Sequence, residues 1–299
     1  MPFDSIYRSD LFADRTVIVT GGGSGIGRCI AHELASLGAR VVIVGRREAR
    51  LKAVAAEIDE DHGICLTHPG DIRDEARVKE IVASVVAEAG PIAGLVNSAG
   101  GQFPALLAEV SKKGFDAVLQ TNTLGSFVFS REVYQQSMKH GGGSIVHITA
   151  SIEHGAPGLG HSGAARAAVE NFTKTAAVEW GPAGVRVNCI APGFIASSGA
   201  DSYEAESESG RRWLETLKTI VGCIPLKRTG TEAEVSSAVC FLLSGAAAYV
   251  TGETLHVDGA LPFAPGWHPL AAGSGSPPFR GFHRAVLPRI FDGPGETTG

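Results

Sequence analysis

Short apolar runs alternate with longer amphipathic segments along most of this 299-residue chain. The runs are rich in Val and Ile and are apolar throughout, which is typical of strands buried on both faces of a parallel sheet. The segments between them have helical spacing, so helices should cover both faces of that sheet. Right-handed crossovers then predict an α/β fold, a single doubly wound (Rossmann-type) domain with a parallel seven-stranded sheet. Strands are predicted at 16–20, 41–44, 64–66, 92–96, 144–148, 185–190 and 254–257, and the clearest helices at 26–37, 74–89, 107–139, 163–180 and 231–244.

The composition changes beyond Gly259, where residues 261–299 become rich in Pro and Gly. Such a segment cannot easily form a second core, so the predicted catalytic domain spans 1–260 and the remainder is a tail. A flexible or surface-wrapping tail is the simpler interpretation, and an arm that packs on a neighbouring subunit is the alternative. Within the domain, the polar stretch 196–222 is predicted to be a substrate loop. The arm would be anchored by large apolar side chains, namely Phe279, Phe282, Leu287 and Ile290.

The charge and the cysteine pattern argue against several classes of protein. A formal net charge of −5 argues against a broad nucleic-acid-binding surface. The chain contains no run of about 18 apolar residues, so no membrane span is expected, and residues 1–15 lack the apolar core of a secretion signal. The 5 cysteines and 10 histidines are scattered, so no metal is expected. Free thiols and a C-terminus without a peroxisomal address indicate the cytoplasm.

A glycine-rich segment follows the first predicted strand and opens the first predicted helix. Gly21, Gly25 and Gly27 allow a tight turn and a close approach of the backbone to a pyrophosphate, with Ser24 and Ile26 between them. The helix that follows offers free N–H groups and the positive end of its dipole to that anion. In this strand–loop–helix context the motif indicates a dinucleotide-binding site rather than a plain tight turn.

The end of the second predicted strand indicates which dinucleotide is bound. Enzymes that use NAD normally carry an acidic residue here for the ribose 2′-hydroxyl, whereas this chain has Arg46 and Arg47. A guanidinium can bind a 2′-phosphate with paired, charge-assisted hydrogen bonds, and a carboxylate would repel it. We therefore predict NADP(H), with Arg46 the better candidate because it comes first after the strand. Two solvated arginines at the start of a helix are the alternative.

Six segments in the expected order resemble the short-chain dehydrogenase/reductase family across positions 12–260. They are the glycine loop at 20–27, Asp71, 97–100, 121–123, 192–193 and 251–259. The resemblance implies a nicotinamide-dependent oxidoreductase in which Asp71 contacts the adenine. Family members usually form tetramers through their long helices, here 107–139 and 163–180, so a homo-oligomer is implied as well.

The resemblance also implies which side chains surround the rest of the cofactor and the active site. Asn122 would hold the active-site helix open around a water. The segment after the fourth strand would line the cofactor cleft, and the segment after the sixth would embrace the nicotinamide. By this correspondence the lining residues are Asn97, Ala99, Gly100, Pro192, Gly193 and Ile195.

The departure from the family pattern lies in the stretch 161–169. Most members carry a tyrosine, which is the acid or base for a carbonyl or alcohol, and a lysine four residues later that lowers its pKa and binds the nicotinamide ribose. By resemblance this chain has Ser162 in the tyrosine's place and Arg166 in the lysine's. The family's serine hydroxyl maps to Thr149 or to Ser151. These two residues alternate onto the same side of an extended segment, so both are candidates.

A site without the tyrosine favours a different chemistry. Reduction of a simple ketone produces an alkoxide that needs a well-matched proton donor, and neither serine nor arginine is one. Reduction of a C=C bond conjugated to a thioester produces an enolate, which hydrogen bonds from Ser162 and the positive charge of Arg166 can stabilise. The same stretch is similar to the peroxisomal trans-2-enoyl-CoA reductases and, more loosely, to the 2,4-dienoyl-CoA reductases. The resemblance implies an acyl-CoA substrate that is reduced by NADPH.

For some charged residues and for the overall function, the sequence leaves more than one interpretation open. Glu170 could be a general acid or an ordinary carboxylate on a helix surface. An alcohol or carbonyl dehydrogenase, for example acting on a terpenoid or long-chain alcohol, is the alternative enzyme. A catalytically inactive NADP-binding scaffold is the alternative from another class. Four cations could attract the phosphates of coenzyme A or be solvated surface charges, namely Arg211, Arg212, Lys227 and Arg228.

Overall fold

The computed structural model describes residues 3–197, 211–212, 215–216, 219–264, 269–273 and 275–288. Its strands lie where uniformly apolar runs occur in the sequence, as expected for strands covered on both faces. The strands are β1 (Thr16–Thr20), β2 (Arg40–Gly45), β3 (Ile64–Pro69), β4 (Ile92–Asn97), β5 (Gly143–Ile148), β6 (Val185–Pro192), β7 (Ile195–Ala196), β8 (Gly230–Thr231) and β9 (Thr254–Val257).

Seven of these strands form one parallel sheet in the order β3-β2-β1-β4-β5-β6-β9, and β7 and β8 form a separate parallel pair. The strand order runs outward from β1 in one direction and from β4 in the other. This reversal opens a crevice at the carboxyl ends of β1 and β4, which is where doubly wound folds bind ligands. The predicted seven-stranded, doubly wound α/β fold is confirmed.

Helices connect consecutive strands and cover both faces of the sheet. None of the helices among the described residues is long and apolar enough to cross a membrane. The α-helices are α1 (Gly25–Ser36), α2 (Glu48–Glu60), α3 (Glu75–Ala89), α4 (Lys112–Leu119), α5 (Gly125–Val133), α6 (Lys139–Gly141), α7 (Gly160–Trp180) and α8 (Glu232–Leu243). Short 3₁₀ turns lie at Gly181–Ala183, Val221–Cys223, Gly245–Ala247 and Leu261–Phe263.

The core has two layers, one on each face of the sheet. Val17 and Val19 of β1 face the layer that contains α1 and α8, whereas Ile18 faces the layer that contains α3 and α5. This alternation follows from the two-residue period of a strand. Because both layers are fully apolar next to β1, the strand is buried along its whole length, and its carboxyl end is held in a fixed position.

The predicted helix at 107–139 starts later and is less regular than expected. Residues before Lys112 form an irregular segment in which the Ala105 N–H donates to the Gly158 carbonyl at 2.8 Å. Ser111 then begins the helix because its hydroxyl accepts a hydrogen bond from the Gly114 N–H at 3.1 Å, a typical N-cap contact. Two wide π-type turns interrupt the helix, at Gln120–Leu124 and at Tyr134–Met138. The first of these turns contains Asn122.

The described part of the segment beyond residue 260 packs on the domain of its own chain. Phe282 is buried, with its ring stacked on Phe3 at 5.7 Å between centroids. Arg284 donates to both carboxylate oxygens of Asp61 at 3.2 Å, just after α2. The Asp4 N–H donates to the Gly281 carbonyl at 2.9 Å, so the segment before β1 meets the described segment after residue 275 here.

Candidate active site

The glycine loop after β1 brings three backbone segments together at the N-terminus of α1. A methyl group built on Gly27 would lie 2.5 Å from the Gly21 carbonyl oxygen, and one built on Gly21 would lie 2.8 Å from the Ala99 backbone. Both contacts are too short, so only glycine fits at these positions. Ser24 is the N-cap of α1 but makes no capping hydrogen bond with its side chain, and the first turn contains no acid. The first N–H groups of α1 are therefore suitably placed for an anion.

A cluster of arginines lies at the end of β2. Arg46 and Arg47 are both exposed there. Burial and the charges of Arg50 and Arg46 together lower the pKa of Arg47. Mutual repulsion of this kind creates a local positive potential that an anion such as a phosphate monoester would relieve.

Asp71, which follows β3, faces the same end of the sheet. Its carboxylate is held by Arg73, whose Nε lies 2.9 Å from Oδ1, and this contact is the main cause of its lowered pKa. The charge of Arg46 lowers the pKa of Asp71 further, which shows that the two residues are close. Asp71 and Arg46, which the sequence placed on the adenine side of the cofactor, are thus brought together.

Asn122 fastens the loop that follows β4. Its Nδ2 donates to the Gly101 carbonyl at 3.0 Å, and its Oδ1 accepts from the Gly101 N–H at 2.9 Å. A methyl group on Gly100 would lie 3.0 Å from the same Oδ1. Asn122 lies in the wide turn between α4 and α5, and its side chain reaches this loop from there. Asn97 lies deeper and donates to the Ser130 hydroxyl at 2.9 Å.

Arg166 crosses from α7 to the carboxyl end of the sheet. Its Nη1 donates to the Ile148 carbonyl at 2.7 Å, at the last residue of β5. Its Nη2 would lie 2.6 Å from a methyl group on Gly100, so the guanidinium and the loop after β4 are in close contact. The guanidinium is therefore fixed between the ends of β4 and β5, and it stays charged at every relevant pH.

Ser162 is buried one turn before Arg166 and is hydrogen-bonded to a residue that the sequence analysis did not identify. Its hydroxyl donates to Gln102 Oε1 at 2.7 Å. Next to it, His161 is fully buried against the ring of Phe103, with 4.4 Å between ring centroids. Among the described residues neither ring nitrogen of His161 has a hydrogen-bond partner, and burial lowers its pKa. The signal for Gln102 was its place two residues after Gly100, in a loop already assigned to the cleft.

Thr149 and Ser151 point toward different partners. The Thr149 hydroxyl lies 3.1 Å from Glu170 Oε1 and 3.2 Å from the Ile190 carbonyl. The Ser151 hydroxyl lies 3.0 Å from Asp258 Oδ2. In the described contacts neither hydroxyl bonds to Ser162, so three separate hydroxyl groups surround the end of β5.

Glu170 is half-buried, which makes the interpretation as an ordinary surface carboxylate wrong. Burial is the main cause of its raised pKa, and the nearby charge of Glu153 adds to it. The hydrogen bond with Thr149 opposes these effects. The sequence could not reveal this burial, because its hydrogen-bond partner Thr149 follows β5 and lies 21 residues before it in the chain.

The segment after β6 returns to the glycine loop. The Gly193 N–H donates to the Val257 carbonyl at 3.0 Å, and Ile195 begins the short pair of β7 with β8. Ser197, which the sequence analysis also missed, lies 2.9 Å from where a methyl group on Gly25 would stand. The residues after Pro192 therefore lie beside the glycine loop, across the crevice.

The tyrosines that the structure describes lie outside this site. The Tyr7 hydroxyl donates to the Ser237 carbonyl, Tyr134 stacks on Trp180, and Tyr249 is fully exposed after α8. Tyr203 and the greater part of the predicted substrate loop 196–222 lie outside the described residues. The described part of the site thus has a hydroxyl and a carboxamide, Ser162 and Gln102, where the family pattern has a phenol.

The interpretation of Arg228 as a solvated charge is wrong, because the side chain is paired and partly buried, whereas its contact with coenzyme A phosphates stays a prediction. Both of its terminal nitrogens donate to Glu234, at 2.9 and 2.6 Å, and its Nε donates to the Ser276 carbonyl at 2.6 Å. The guanidinium is thereby committed to α8 and to the C-terminal segment. Lys227 donates to the Gly222 carbonyl, and Arg211 and Arg212 are exposed.

The fold and the crevice define a nucleotide-binding enzyme of the Rossmann type, and comparison with known proteins specifies the family. A family model described as Enoyl-(Acyl carrier protein) reductase matches residues 21–261. The chain is 37% identical over 259 residues to a peroxisomal 2,4-dienoyl-CoA reductase [(3E)-enoyl-CoA-producing] of Danio rerio, covering 86% of this chain and 84% of the relative. The chain therefore belongs to the short-chain dehydrogenase/reductase family of oxidoreductases.

Two solved structures are also similar to this chain. A citronellol catabolism dehydrogenase of Pseudomonas aeruginosa is 54% identical, with a TM-score of 0.77 and coverage of 87% of this chain and 99% of that one. A short-chain type dehydrogenase/reductase of Mycobacterium ulcerans is 33% identical, with a TM-score of 0.77 and coverage of 85% and 92%. Membership of the family implies a nicotinamide dinucleotide cofactor. The residues present fit one, because Gly21 and Gly27 allow the loop to turn tightly onto the Ala99 backbone and the first turn of α1 presents its N–H groups without an acidic side chain.

Proposed function

We propose that this oxidoreductase uses NADPH to reduce the C=C bond of an enoyl or dienoyl thioester such as a trans-2-enoyl-CoA. The observation that carries the proposal is the Ser162–Gln102 pair, hydrogen-bonded at 2.7 Å where the family pattern has a tyrosine. The name of the Danio rerio relative supports the same substrate class.

The Ser162–Gln102 pair suits an enolate better than an alkoxide. When bound, the nicotinamide would supply a hydride to the β-carbon of an enoyl substrate, or to the δ-carbon of a dienoyl substrate, and negative charge would develop on the thioester oxygen. In this structure the single hydroxyl proton of Ser162 is donated to Gln102 Oε1, so Ser162 would hold the carboxamide in place and the carboxamide N–H groups would donate to the enolate. Donors fixed where charge develops accelerate such a step. Neither group has a pKa near 7, so neither can supply the proton that an alkoxide requires.

Arg166 would add positive charge at this position. Its guanidinium is fixed by the Ile148 carbonyl and by the close approach of Gly100, so its charge needs no rearrangement when the substrate reacts. We expect it to stabilise both the bound cofactor and the developing enolate. Asn122 would support the same geometry by fastening the Gly101 backbone beside Gln102.

We propose that the proton for the α-carbon comes from solvent or from the Thr149–Glu170 pair. Burial raises the pKa of Glu170, which keeps a larger share of the carboxyl protonated than at an exposed site. The Thr149 hydroxyl, 3.1 Å away, connects that carboxyl to the end of β5. Ser151 is paired with Asp258 and is the weaker of the two hydroxyl candidates.

The choice of NADP(H) is supported by the arginines after β2. Arg46 and Arg47 present two exposed guanidinium groups at the edge of the adenine side, and the described residues contribute no carboxylate that pairs with Arg46. A 2′-phosphate would neutralise this positive cluster. Replacing Arg46 with Ala should lower the kcat/KM ratio of NADPH to NADH by about tenfold or more, as expected for loss of a charge-assisted contact.

We further propose a homotetramer in the cytoplasm. Large apolar side chains are exposed on the helices that the family uses for assembly, including Phe127 on α5 at 39% and Val178 on α7 at 77%. Exposed apolar groups of this size on two helices support association. All five cysteines are free thiols, which supports a reducing compartment.

A dehydrogenase acting on a terpenoid or long-chain alcohol is the second candidate. It is favoured by the 54% identity to a protein named as a citronellol catabolism dehydrogenase. That identity exceeds the 37% to the Danio rerio dienoyl-CoA reductase. The described part of the site contains no phenol, which argues against this candidate because alcohol oxidation needs a base matched to the substrate hydroxyl.

One assay panel separates these candidates. NADPH absorbance is followed with trans-2-enoyl-CoA esters, a 2,4-dienoyl-CoA and simple ketones, and NADP⁺ is tested with citronellol and long-chain alcohols. We expect turnover of the CoA esters, with kcat lowered about 100-fold by Ser162→Ala because the Gln102 carboxamide loses the hydroxyl that fixes it as an oxyanion donor. Ser84→Ala, an exposed hydroxyl on α3, is the matched control and should leave kcat unchanged.

Turnover confined to alcohols would overturn the leading proposal in favour of the second candidate. Tight NADPH binding without turnover of any substrate would favour an inactive scaffold. A kcat for the CoA esters that is unchanged in Ser162→Ala would remove the Ser162–Gln102 pair from the mechanism even if the substrate class is right.

A further inference from the structure

A buried carboxyl group lies next to the glycine loop. Glu232 begins α8 and is only 5% exposed. Its Oε1 is 3.9 Å from the position that a methyl group on Gly25 would occupy, and it is hydrogen-bonded to Ser197. Glu232 therefore connects the start of α8 with both sides of the crevice in which the dinucleotide would lie.

The position beside Gly25 is suited to an anion, which conflicts with a carboxylate there. Gly25 is the first residue of α1, and the first turn of that helix presents N–H groups without an acidic side chain. The pyrophosphate of a dinucleotide carries two negative charges. Two like charges close together in a partly desolvated site cannot both be favourable, so one of them must be neutralised.

Few other charges face Glu232 among the described residues. Arg28 on α1 is the cation that lowers its pKa, but that guanidinium is already paired with Glu57 at 2.8 Å. Cys29 is buried, and burial raises its pKa well above the usual value, so it stays neutral. Glu234 on the same helix faces Arg228 instead. Burial outweighs Arg28 and raises the pKa of Glu232.

We propose that Glu232 couples dinucleotide binding to proton uptake: its carboxyl takes one proton from solvent when the pyrophosphate binds beside Gly25. In the protonated form the carboxyl keeps its hydrogen bond with Ser197 and no longer repels the phosphates. The inference rests on the proposed dinucleotide site but is independent of which substrate is reduced. It predicts that dinucleotide affinity falls as the pH rises.

The test is isothermal titration calorimetry of NADPH and of NADH in pairs of buffers that differ in ionisation enthalpy, between pH 7 and 9. This range lies above the second pKa of the 2′-phosphate, about 6, and NADH lacks that group. We expect the parent protein to take up protons, approaching one per dinucleotide, and its Kd to rise by up to about tenfold per pH unit above the pKa of free Glu232.

Glu232→Gln is the informative variant because it keeps a hydrogen-bonding side chain but cannot titrate. It should bind both dinucleotides without proton uptake at this residue and with a Kd that is nearly independent of pH. Glu33→Gln is the matched control, since Glu33 is also a fully buried carboxyl with a raised pKa. It lies about two turns after Gly25 along α1, away from the glycine loop. The Glu33→Gln variant should retain the proton uptake of the parent.

Four outcomes would overturn the inference. Binding of either dinucleotide without proton uptake in the parent, or with equal uptake in Glu232→Gln, would show that Glu232 is only a structural hydrogen-bond partner. Loss of proton uptake in Glu33→Gln would show that Glu33, and not Glu232, takes up the proton. Absence of binding by both NADPH and NADH would overturn the dinucleotide site itself, and so the proposed function as well.

Discussion

Phe282 anchors the C-terminal segment to the domain, and its removal gives a quantitative test of that packing. The ring is 3% exposed and is stacked on Phe3, with His32 at 5.1 Å between centroids. The Arg28 guanidinium lies over the same ring at 5.1 Å from its centroid. Phe282→Ala removes all of these contacts at once and leaves the neighbouring ion pairs of Arg284 in place.

The cost follows from the burial of Phe282. Truncation of a buried phenylalanine to alanine costs about 3–5 kcal/mol, depending on how far the surroundings collapse into the cavity. This cluster lies at the edge of the domain, where Phe3 can move inward, so we expect the lower end, about 3 kcal/mol. The pair of Arg284 with Glu60, whose side chain is 67% exposed, contributes only about 0–1 kcal/mol. The pair with the less exposed Asp61 is kept in the variant, so the measured loss reports the aromatic contact.

Urea unfolding monitored by tryptophan fluorescence measures this loss. With an m-value of about 3 kcal/mol/M, a loss of about 3 kcal/mol lowers the midpoint by about 1 M. Leu287→Ala, 52% exposed in the same segment, is the control and should change stability by no more than about 0.5 kcal/mol. Size-exclusion chromatography should give the same assembly for parent and variant, because the contact lies within one chain.

A urea midpoint that falls by less than a third of the expected change of about 1 M would refute the packing argument. A variant that dissociates into smaller species would instead show that the segment acts as an arm between subunits. Both results can be read from the same purified proteins, so the flexible tail and the intersubunit arm are distinguished without further variants.

Two other substitutions test the interior of the site and the core. Gly100→Ala places a methyl group 2.6 Å from Arg166 Nη2 and 3.0 Å from Asn122 Oδ1, so we expect the Kd for NADPH to rise at least tenfold; a change below twofold would contradict this. His147 is fully buried, and burial lowers its pKa to about 3. In the unfolded chain this histidine has a pKa of about 6.5, so it is protonated at a higher pH than in the folded chain. The free energy of unfolding therefore has its full value above pH 6.5 and falls by about 2 kcal/mol by pH 5. His147→Asn should weaken that fall, measured as urea midpoints at pH 5 and 7, and an unchanged fall would exclude His147 as its source.

The strands were predictable because a parallel sheet imposes a strong local pattern. β1 and β2 are apolar at successive positions since both of their faces are covered, and few other structures need such runs. The start of α4 was not predictable from periodicity, because the apolar residues before Ser111 belong to an irregular segment paired with Gly158. That pairing spans about fifty residues, beyond any local window.

In the candidate site, too, local motifs could be predicted and contacts between distant segments could not. Gly21 and Arg166 could be identified from short motifs, since each has a fixed place relative to a strand or a helix. Gln102 lies in a loop that the sequence assigns to the cleft, but its contact with the distant Ser162 could not be predicted. Glu232 could not be identified, because its significance comes from Gly25, which is distant in sequence. From sequence alone Glu232 resembles an ordinary acid in the first turn of a helix, where such residues are favourable.

By the resemblance to the family pattern, Arg166 in the place of the lysine is consistent with Ser162 in the place of the tyrosine. A lysine is useful beside a phenol because its charge lowers the phenol's pKa. Once the phenol is absent there is no pKa to tune, and what the proposed reaction still requires is a fixed positive charge. A guanidinium supplies that charge permanently, and its several donors allow it to hold the Ile148 carbonyl while a second nitrogen approaches Gly100. Arg166→Lys should therefore keep the charge but lose this fixed position, with a larger effect on the rate of CoA ester reduction than on the Kd for NADPH.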